Sequence, residues 1–413
     1  MTQSIHILPL KEVLKTEIEL PASKSISNRL LILNALAYSP YPIKNLSDSD
    51  DTRAMLGALN SSTNHFDVGA AGTTMRFLTA YLAKIVGEWT ITGSERMKQR
   101  PIHVLVEALN RLGARIEYLD KEGYPPLRIY GSALKGGELE LPGNVSSQYV
   151  SALLMIAPYM MEGLSLTLTG DITSRPYIHM TLKQMEAFGV KCEWKGNTIK
   201  VPNAEYKPVE TRVEADWSAA SYWFEVVAFA PKGTTVILKG LNRYSWQGDS
   251  EVARLFEGLG VKSKHSSRGL ELLNIGEIMS SFKYDFTDQP DLAQTFAVTC
   301  AFLGVPFKLS GLHTLKIKET DRINALVNEL GKFGFLIETN NVDCIEWSGK
   351  KGEALDKISV ATYKDHRMAM AFAPAALKMD KPFVIEDPSV VSKSYPGFWD
   401  DLKKVGFAIE DQK

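Results

Sequence analysis

Apolar residues recur at three- and four-residue spacing in a series of segments that each stop at a glycine and pass into a short apolar stretch. ALNRLGARIEY, QMEAFGVKCEW, LFEGLGVKSKH, ELGKFGFLIET and DLKKVGFAIED share this order, with Gly113, Gly189, Gly260, Gly334 and Gly406 at the joint. A 3.6-residue period predicts a helix, the following run predicts a strand, and glycine suits the left-handed position just past a helix end. The joints lie 76, 71, 74 and 72 residues apart. That regularity predicts repeated α/β units. A sixth, degenerate copy is expected in MLGALNSSTNHFDVG, where a helix from Arg53 to Leu59 leads toward a short strand without the glycine. Six units over 413 residues average about 69 each and divide naturally into two groups of three.

Length supports the same division, because 413 residues are two to three times the usual domain of roughly 150. The expected crossover runs near Val201 to Asp216, where Pro202, Pro208 and the alternating TRVEAD suggest an extended strand. Composition is that of a globular protein, 45% hydrophobic and 23% charged, and no window approaches the ~20 uncharged apolar residues of a membrane span. Lysine and arginine number 47 against 48 acids, which removes the excess positive field of a general nucleic-acid binder and makes any anion site local. Cys192, Cys300 and Cys344 form no CxxC or Cys/His cluster, so neither a disulfide framework nor a zinc site is expected, and the compartment is read as reducing. The opening MTQSIHILPLKEVL mixes charges and lacks the apolar core of a secretory signal, which predicts a cytoplasmic protein.

Candidate chemistry concentrates where helices are expected to begin. Ser23-Lys24-Ser25 and Arg29 open ISNRLLILNALA; Gly72-Thr73-Thr74 and Arg76 open MRFLTAYLAK; Ser146-Ser147-Gln148 open YVSALLMIA; Lys318-Glu319-Thr320-Asp321-Arg322 open INALVNEL; Asp365-His366-Arg367 open MAMAFAPAAL. Helix N-termini carry partial positive charge and free N–H groups, so cations there are locally unfavourable unless an anion is bound. Hydroxyl caps are ordinary one at a time, but five such sites in a neutral chain point to a ligand with several negative groups. RMKQR (Arg96 to Arg100) precedes Pro101, expected at the first position of the next helix, and Ser392-Lys393-Ser394 precedes Tyr395-Pro396. GxxxxGK[ST] is absent, GAAGTT lacks dinucleotide-binding spacing, and no HExxH or EF-hand loop suggests a metal. His366 alone among the histidines lies within a dense charged motif, and Asp291 and Glu319 are acid–base candidates set among cations.

Taken in order, these motifs closely resemble the 5-enolpyruvylshikimate-3-phosphate (EPSP) synthase family over nearly the whole chain. LPASKSISNR, DSDDTRAML, AGTTMR, RMKQRPI, SSQ, SRPYI, QPDLA, IKETDR, DHRMAM and SKSYPGF occur in the family's order and spacing. The resemblance implies the α/β, two-domain enolpyruvyl transferase fold, an inside-out α/β barrel in which each domain holds three βαβαββ-type repeats. It implies a C-terminal domain of residues 1–21 plus 214–413, an N-terminal domain of residues 22–213, and an active site in the interdomain cleft. Shikimate 3-phosphate would be held by Lys24, Ser25, Arg29, Ser146, Ser147, Gln148, Ser174, Tyr177, Asp291 and Lys318, and phosphoenolpyruvate by Lys24, Gly72, Arg100, Gln148, Arg322, Arg367 and Lys393. Asp291, Glu319 and Lys24 would be catalytic. Gly72 resembles the glycine that leaves room for phosphoenolpyruvate and for the longer inhibitor glyphosate. No cofactor, metal, nucleic-acid or membrane partner is implied, and the family points to a monomer.

Three positions depart from the family pattern: Ala70 where asparagine is usual, Phe77 where proline or leucine often follows, and Thr314 where asparagine often reaches the shikimate ring, so Thr314 is left out of the site. The sister family that transfers enolpyruvate to UDP-N-acetylglucosamine shares fold and donor. It would show a GNKNA-type segment in place of SKSISNR and usually a mobile-loop cysteine near RMKQR, yet residues 90–110 contain none. A non-catalytic scaffold binding phosphorylated metabolites is the reading from another class, and the pairing of Asp291 with Glu319 argues against it. One domain of a larger multifunctional shikimate-pathway assembly is a further alternative.

Overall fold

The computed structural model describes residues 4–13 and 16–411, so the first three residues and Leu14 of the charged opening segment lie outside the described part. The chain divides into two compact units, one formed by Met1–Pro21 with Glu214–Lys413 and the other by Ala22–Val213. The described residues form five four-stranded sheets of one design. In each, a parallel pair of strands lies beside an antiparallel pair, and in three of the five the parallel strands are joined through a helix and the antiparallel pair follows another. The sheet of His65–Asp67, Gly87–Thr92, Arg115–Tyr118 and Leu127–Gly131 and the sheet of Gly137–Pro142, Leu164–Thr169, Glu193–Lys195 and Thr198–Val201 belong to residues 22–213.

The other three sheets belong to the larger unit, and two of them are completed by the start of the chain. Thr16–Glu19 pairs in parallel with Thr235–Lys239. Ser4–Ile7 lies between Phe383–Glu386 and Ile409–Asp411, antiparallel to both. Antiparallel strands need no helical crossover, so a distant segment can fill the central place of a sheet.

All five repeat glycines take positive φ, between 84° and 105°. At four of them the residue after the glycine, Ala114, Val190, Phe335 or Phe407, returns its N–H to a carbonyl five residues back, which satisfies the helix end and turns an apolar side chain inward. The sixth copy differs from expectation. Its helix spans Asp50–Leu59, but the strand that follows, His65–Asp67, pairs with Gly87–Thr92 in the next sheet, and the copy is reduced to a parallel bridge between Lys44 and Arg212. Without the glycine-turned hairpin there is no antiparallel pair to build on.

Helices alternate in character. Trp217–Phe229 is buried at every position but Ser218, and Gly72–Lys84, Ser147–Ile156, Ala293–Leu303 and His366–Phe372 are buried nearly all round. Helices apolar on all faces form the centre of a protein, whereas Asp50–Leu59, His103–Arg111 and Arg175–Ala187 bury one stripe only. Each unit has its own hydrophobic core. Among the described residues no helix is long and apolar enough to cross a membrane, and the three cysteines are unpaired.

Candidate active site

Within residues 22–213 the inner helices begin as the sequence predicts. Ser23 caps Lys24–Leu36 and Ser146 caps Ser147–Ile156, each accepting a backbone N–H. Gly72 opens its helix after Ala71. Pro101 is a correction: the helix starts at His103 with Ile102 as its cap, so the proline stands outside it, after a 3₁₀ turn over Met97–Gln99.

These starts bring the predicted residues together. Gln148 donates from Nε2 to Thr73 Oγ1 at 3.2 Å, joining two helix N-termini. Asp51, within DSDDTRAML and outside the predicted site, lies 4.0 Å from Lys24 Nζ and accepts from Thr74 N at 3.1 Å. Its signal in the sequence was the acid doublet Asp50-Asp51 in a first helical turn. Arg29 is 2% exposed; its Nε donates to Thr181 Oγ1 at 2.7 Å, Nη1 to the Ser25 carbonyl at 2.9 Å and Nη2 to Ser151 Oγ at 3.0 Å. Ser174 is left-handed (φ 55°) and caps Arg175–Ala187, where the Tyr177 carbonyl accepts from Thr181. Phe77, atypical for the family, is buried with Arg29 Cζ 5.3 Å from its ring centre, while Ala70 is exposed.

A side chain on Gly72 would meet Arg100 directly, since a Cβ there would lie 2.6 Å from Arg100 Nη1 and 3.1 Å from Arg76 Nη1. Gly72 has negative φ, so it is the close approach of guanidinium to backbone that calls for glycine here. Arg100 Nε is buried without a hydrogen-bond partner. Burial, and then the neighbouring Arg100, push Arg76 down to about 10; burial alone does the same to Arg29. Among the described residues no carboxylate lies within ion-pair distance of Arg29, Arg76 or Arg100. Arg29 and Arg100 therefore stand buried without a carboxylate in ion-pair distance, and Arg76 feels Asp51 only from farther away.

The larger unit presents the opposite balance. Asp291, in a 3₁₀ turn ahead of helix Ala293–Leu303, receives Arg322 Nη1 at 3.1 Å and Arg367 Nη2 at 2.8 Å, with Lys318 Nζ at 3.8 Å. It is thus no cap of that helix. Glu319 receives Arg322 Nη2 at 3.0 Å, and it precedes the helix, whose cap is Asp321. Asp365 caps helix His366–Phe372, accepting Arg367 N at 2.9 Å, and takes Arg322 Nε at 2.7 Å. Tyr222 Oη accepts from Arg367 Nη1 at 3.3 Å.

Lys318, Arg322 and Arg367 are therefore met by Asp291, Glu319 and Asp365, carboxylates set among cations in this half. Burial works against the Arg322 charge, but Asp365, Glu319 and Asp291 outweigh it and hold the guanidinium well above its ordinary range. Burial pushes the Lys318 ammonium down, an effect limited by the quarter of its side chain still open to solvent. Lys393 donates to the Lys364 carbonyl at 2.6 Å. Thr314, excluded above, keeps a buried hydroxyl without a hydrogen-bond partner. Among the described residues no three His, Cys, Asp or Glu side chains could together hold a metal ion.

The model of the EPSP synthase (3-phosphoshikimate 1-carboxyvinyltransferase) family matches residues 10–61 and 59–402. The chain belongs to this family. It is 51% identical over 406 residues to a 3-phosphoshikimate 1-carboxyvinyltransferase of Bacteroides fragilis, covering 98% of each, and 38% identical over 432 residues to one of Aliivibrio fischeri, covering 98% of this chain and 99% of that one. The structure of EPSP synthase from Acinetobacter baumannii superposes over 100% of both chains with a TM-score of 0.80 at 22% identity, a likeness of fold. The two-domain enolpyruvyl transferase fold implied by the resemblance is therefore the fold of this family member.

Proposed function

We propose that the protein transfers the enolpyruvyl group of phosphoenolpyruvate to the 5-hydroxyl of shikimate 3-phosphate, releasing phosphate, in the shikimate pathway. Family membership supports the reaction, and the charge division supports the assignment of residues. The observation that carries the assignment is the set of buried guanidiniums without carboxylates in residues 22–213, which suits ligands bearing two phosphates and two carboxylates. Lys24, Ser25, Arg29, Ser146, Ser147, Gln148, Ser174 and Tyr177 hold shikimate 3-phosphate in this reading, and Lys24, Gly72, Arg100 and Gln148 meet the donor. Arg322, Arg367 and Lys393 take the donor carboxylate and phosphate, with Asp291 and Lys318 turned to the acceptor.

In the first step the 5-hydroxyl adds to the enol-ether carbon while the methylene carbon gains a proton, giving a tetrahedral ketal phosphate. Asp291 accepts the hydroxyl proton, and Glu319 delivers the methyl proton and later removes it, with Lys24 assisting. Arg322 at 3.1 Å, Arg367 at 2.8 Å and Lys318 at 3.8 Å hold the Asp291 carboxylate in place for that role. The surrounding cations stabilise charge that develops as phosphate leaves.

Phosphate release from phosphoenolpyruvate, measured with shikimate 3-phosphate and separately with UDP-N-acetylglucosamine as acceptor, tests the reading. Turnover with the first alone is expected; turnover with the second, or binding without turnover, would overturn it. We further infer a cytoplasmic monomer, which analytical ultracentrifugation of the purified protein checks for mass.

A further inference from the structure

Helix Arg322–Lys332 holds the segment before Asp365 at both of its ends. Its first residue, Arg322, binds the Asp365 carboxylate. Near its last turn Glu329 is fully buried; its Oε1 accepts from Tyr363 Oη at 2.7 Å and its Oε2 from Ala361 N at 3.1 Å, with Lys332 Nζ at 2.7 Å. Lys332 also donates to the Ser359 carbonyl at 2.7 Å. The held segment contains two consecutive residues in the left-handed region, Tyr363 at φ 54° and Lys364 at φ 57°.

Side chains larger than asparagine rarely adopt that conformation, and two in succession persist only where the surroundings impose it. Tyr363 is 38% exposed, so packing holds it only in part, and its hydroxyl is tied to the buried Glu329 carboxylate and to Asn328. The strained pair lies one link from three residues assigned to the donor. The Lys364 carbonyl receives Lys393 Nζ, the next residue is Asp365, and Asp365 orients the backbone of Arg367 and the side chain of Arg322.

We propose that Glu329 and Tyr363 are positioning residues which lock residues 363–364 in the left-handed conformation and so set Arg322, Arg367 and Lys393 for phosphoenolpyruvate. A buried carboxylate costs desolvation that a leucine of similar size would avoid, so its retention at a strained junction fits positioning. The inference rests on the assignment of Arg367 and Lys393 to the donor.

Steady-state kinetics of Tyr363→Phe, which removes one hydroxyl from a partly exposed ring, tests it beside thermal melting. The donor KM is expected to rise ~10-fold, the scale of one hydrogen bond to a charged group, while the shikimate 3-phosphate KM stays within about twofold. Adding Lys364→Asn, the residue type that best tolerates left-handed backbone after glycine, is expected to restore most of the loss. An equal rise in both KM values, no rise, or no recovery by Lys364→Asn would overturn the proposal. Arg367→Ala serves as the control: an unchanged donor KM there would refute the assignment itself, whereas a raised one beside an indifferent Tyr363→Phe would refute the positioning pair alone.

Discussion

Replacing Arg29 by methionine should separate the charge of this residue from its place in the fold. Burial lowers its pKa from 12.5 to about 10, a difference of about 2.5 units, and at 1.36 kcal/mol per unit the charged form is disfavoured by about 3 kcal/mol. Two close hydroxyl partners and the Ser25 carbonyl, at about 1 kcal/mol each, offset that cost without exceeding it. Methionine keeps most of the volume and removes the charge, and Ser151 and Thr181 retain each other at 2.8 Å. The unliganded Tm should therefore move by only a few degrees.

The bound state is different, because a phosphate beside the guanidinium makes a charge-assisted contact that methionine cannot. Such a contact is worth up to about 3 kcal/mol, about 100-fold in Kd. Wild type held at 100 times its Kd of shikimate 3-phosphate gains about 2.7 kcal/mol of stability, and the variant at the same concentration about 0.4. Differential scanning fluorimetry with and without shikimate 3-phosphate, supported by calorimetric titration, reads both quantities. A ligand-induced shift equal to that of wild type, or an unliganded Tm more than about ten degrees lower with affinity preserved in the folded fraction, would show that Arg29 is a strut of the core, and the charge argument would fall.

Other outcomes are as specific. Glu319→Gln and Asp291→Asn should each lower kcat by about 100-fold or more, and near wild-type turnover in either would remove its proton-transfer role. Gly72→Ala places a methyl 2.6 Å from Arg100 Nη1, so Arg100 must retreat and the donor pocket narrows; glyphosate inhibition constants should rise proportionally more than the phosphoenolpyruvate KM, and equal losses would contradict steric discrimination. Asp249 is buried against Ser218, and burial followed by Asp291 raises its pKa from 3.8 to about 7. Between those values the native state keeps a proton that the unfolded chain has released, so this contribution to stability falls as pH rises toward 7. The Tm of Asp249→Asn relative to wild type should therefore climb between pH 5 and pH 8, and a pH-independent difference would refute the shift.

What the sequence by itself determined was local. The glycine joints were legible because a left-handed residue at a helix end is decided by its own backbone, and all five take positive φ. Ser23, Ser146, Asp321 and Asp365 announced helix starts for the same reason, since a cap bonds an N–H only two or three residues away. Pro101 misled because a 3₁₀ turn absorbed the residues before it, and the sixth copy misled because a strand's sheet is chosen by its neighbours. Charge pairing between distant segments was closed to sequence reasoning. Glu319 three residues before Arg322 is a local partner, but Arg322 and Arg367 also find Asp291 at separations of 31 and 76 residues, while Arg29 and Arg100 find no carboxylate, and the sequence does not show those long-range outcomes. Glu329 and Tyr363, 34 residues apart, carried no motif either. Coulomb energy and desolvation depend on distance and burial in space, and only tertiary packing sets those.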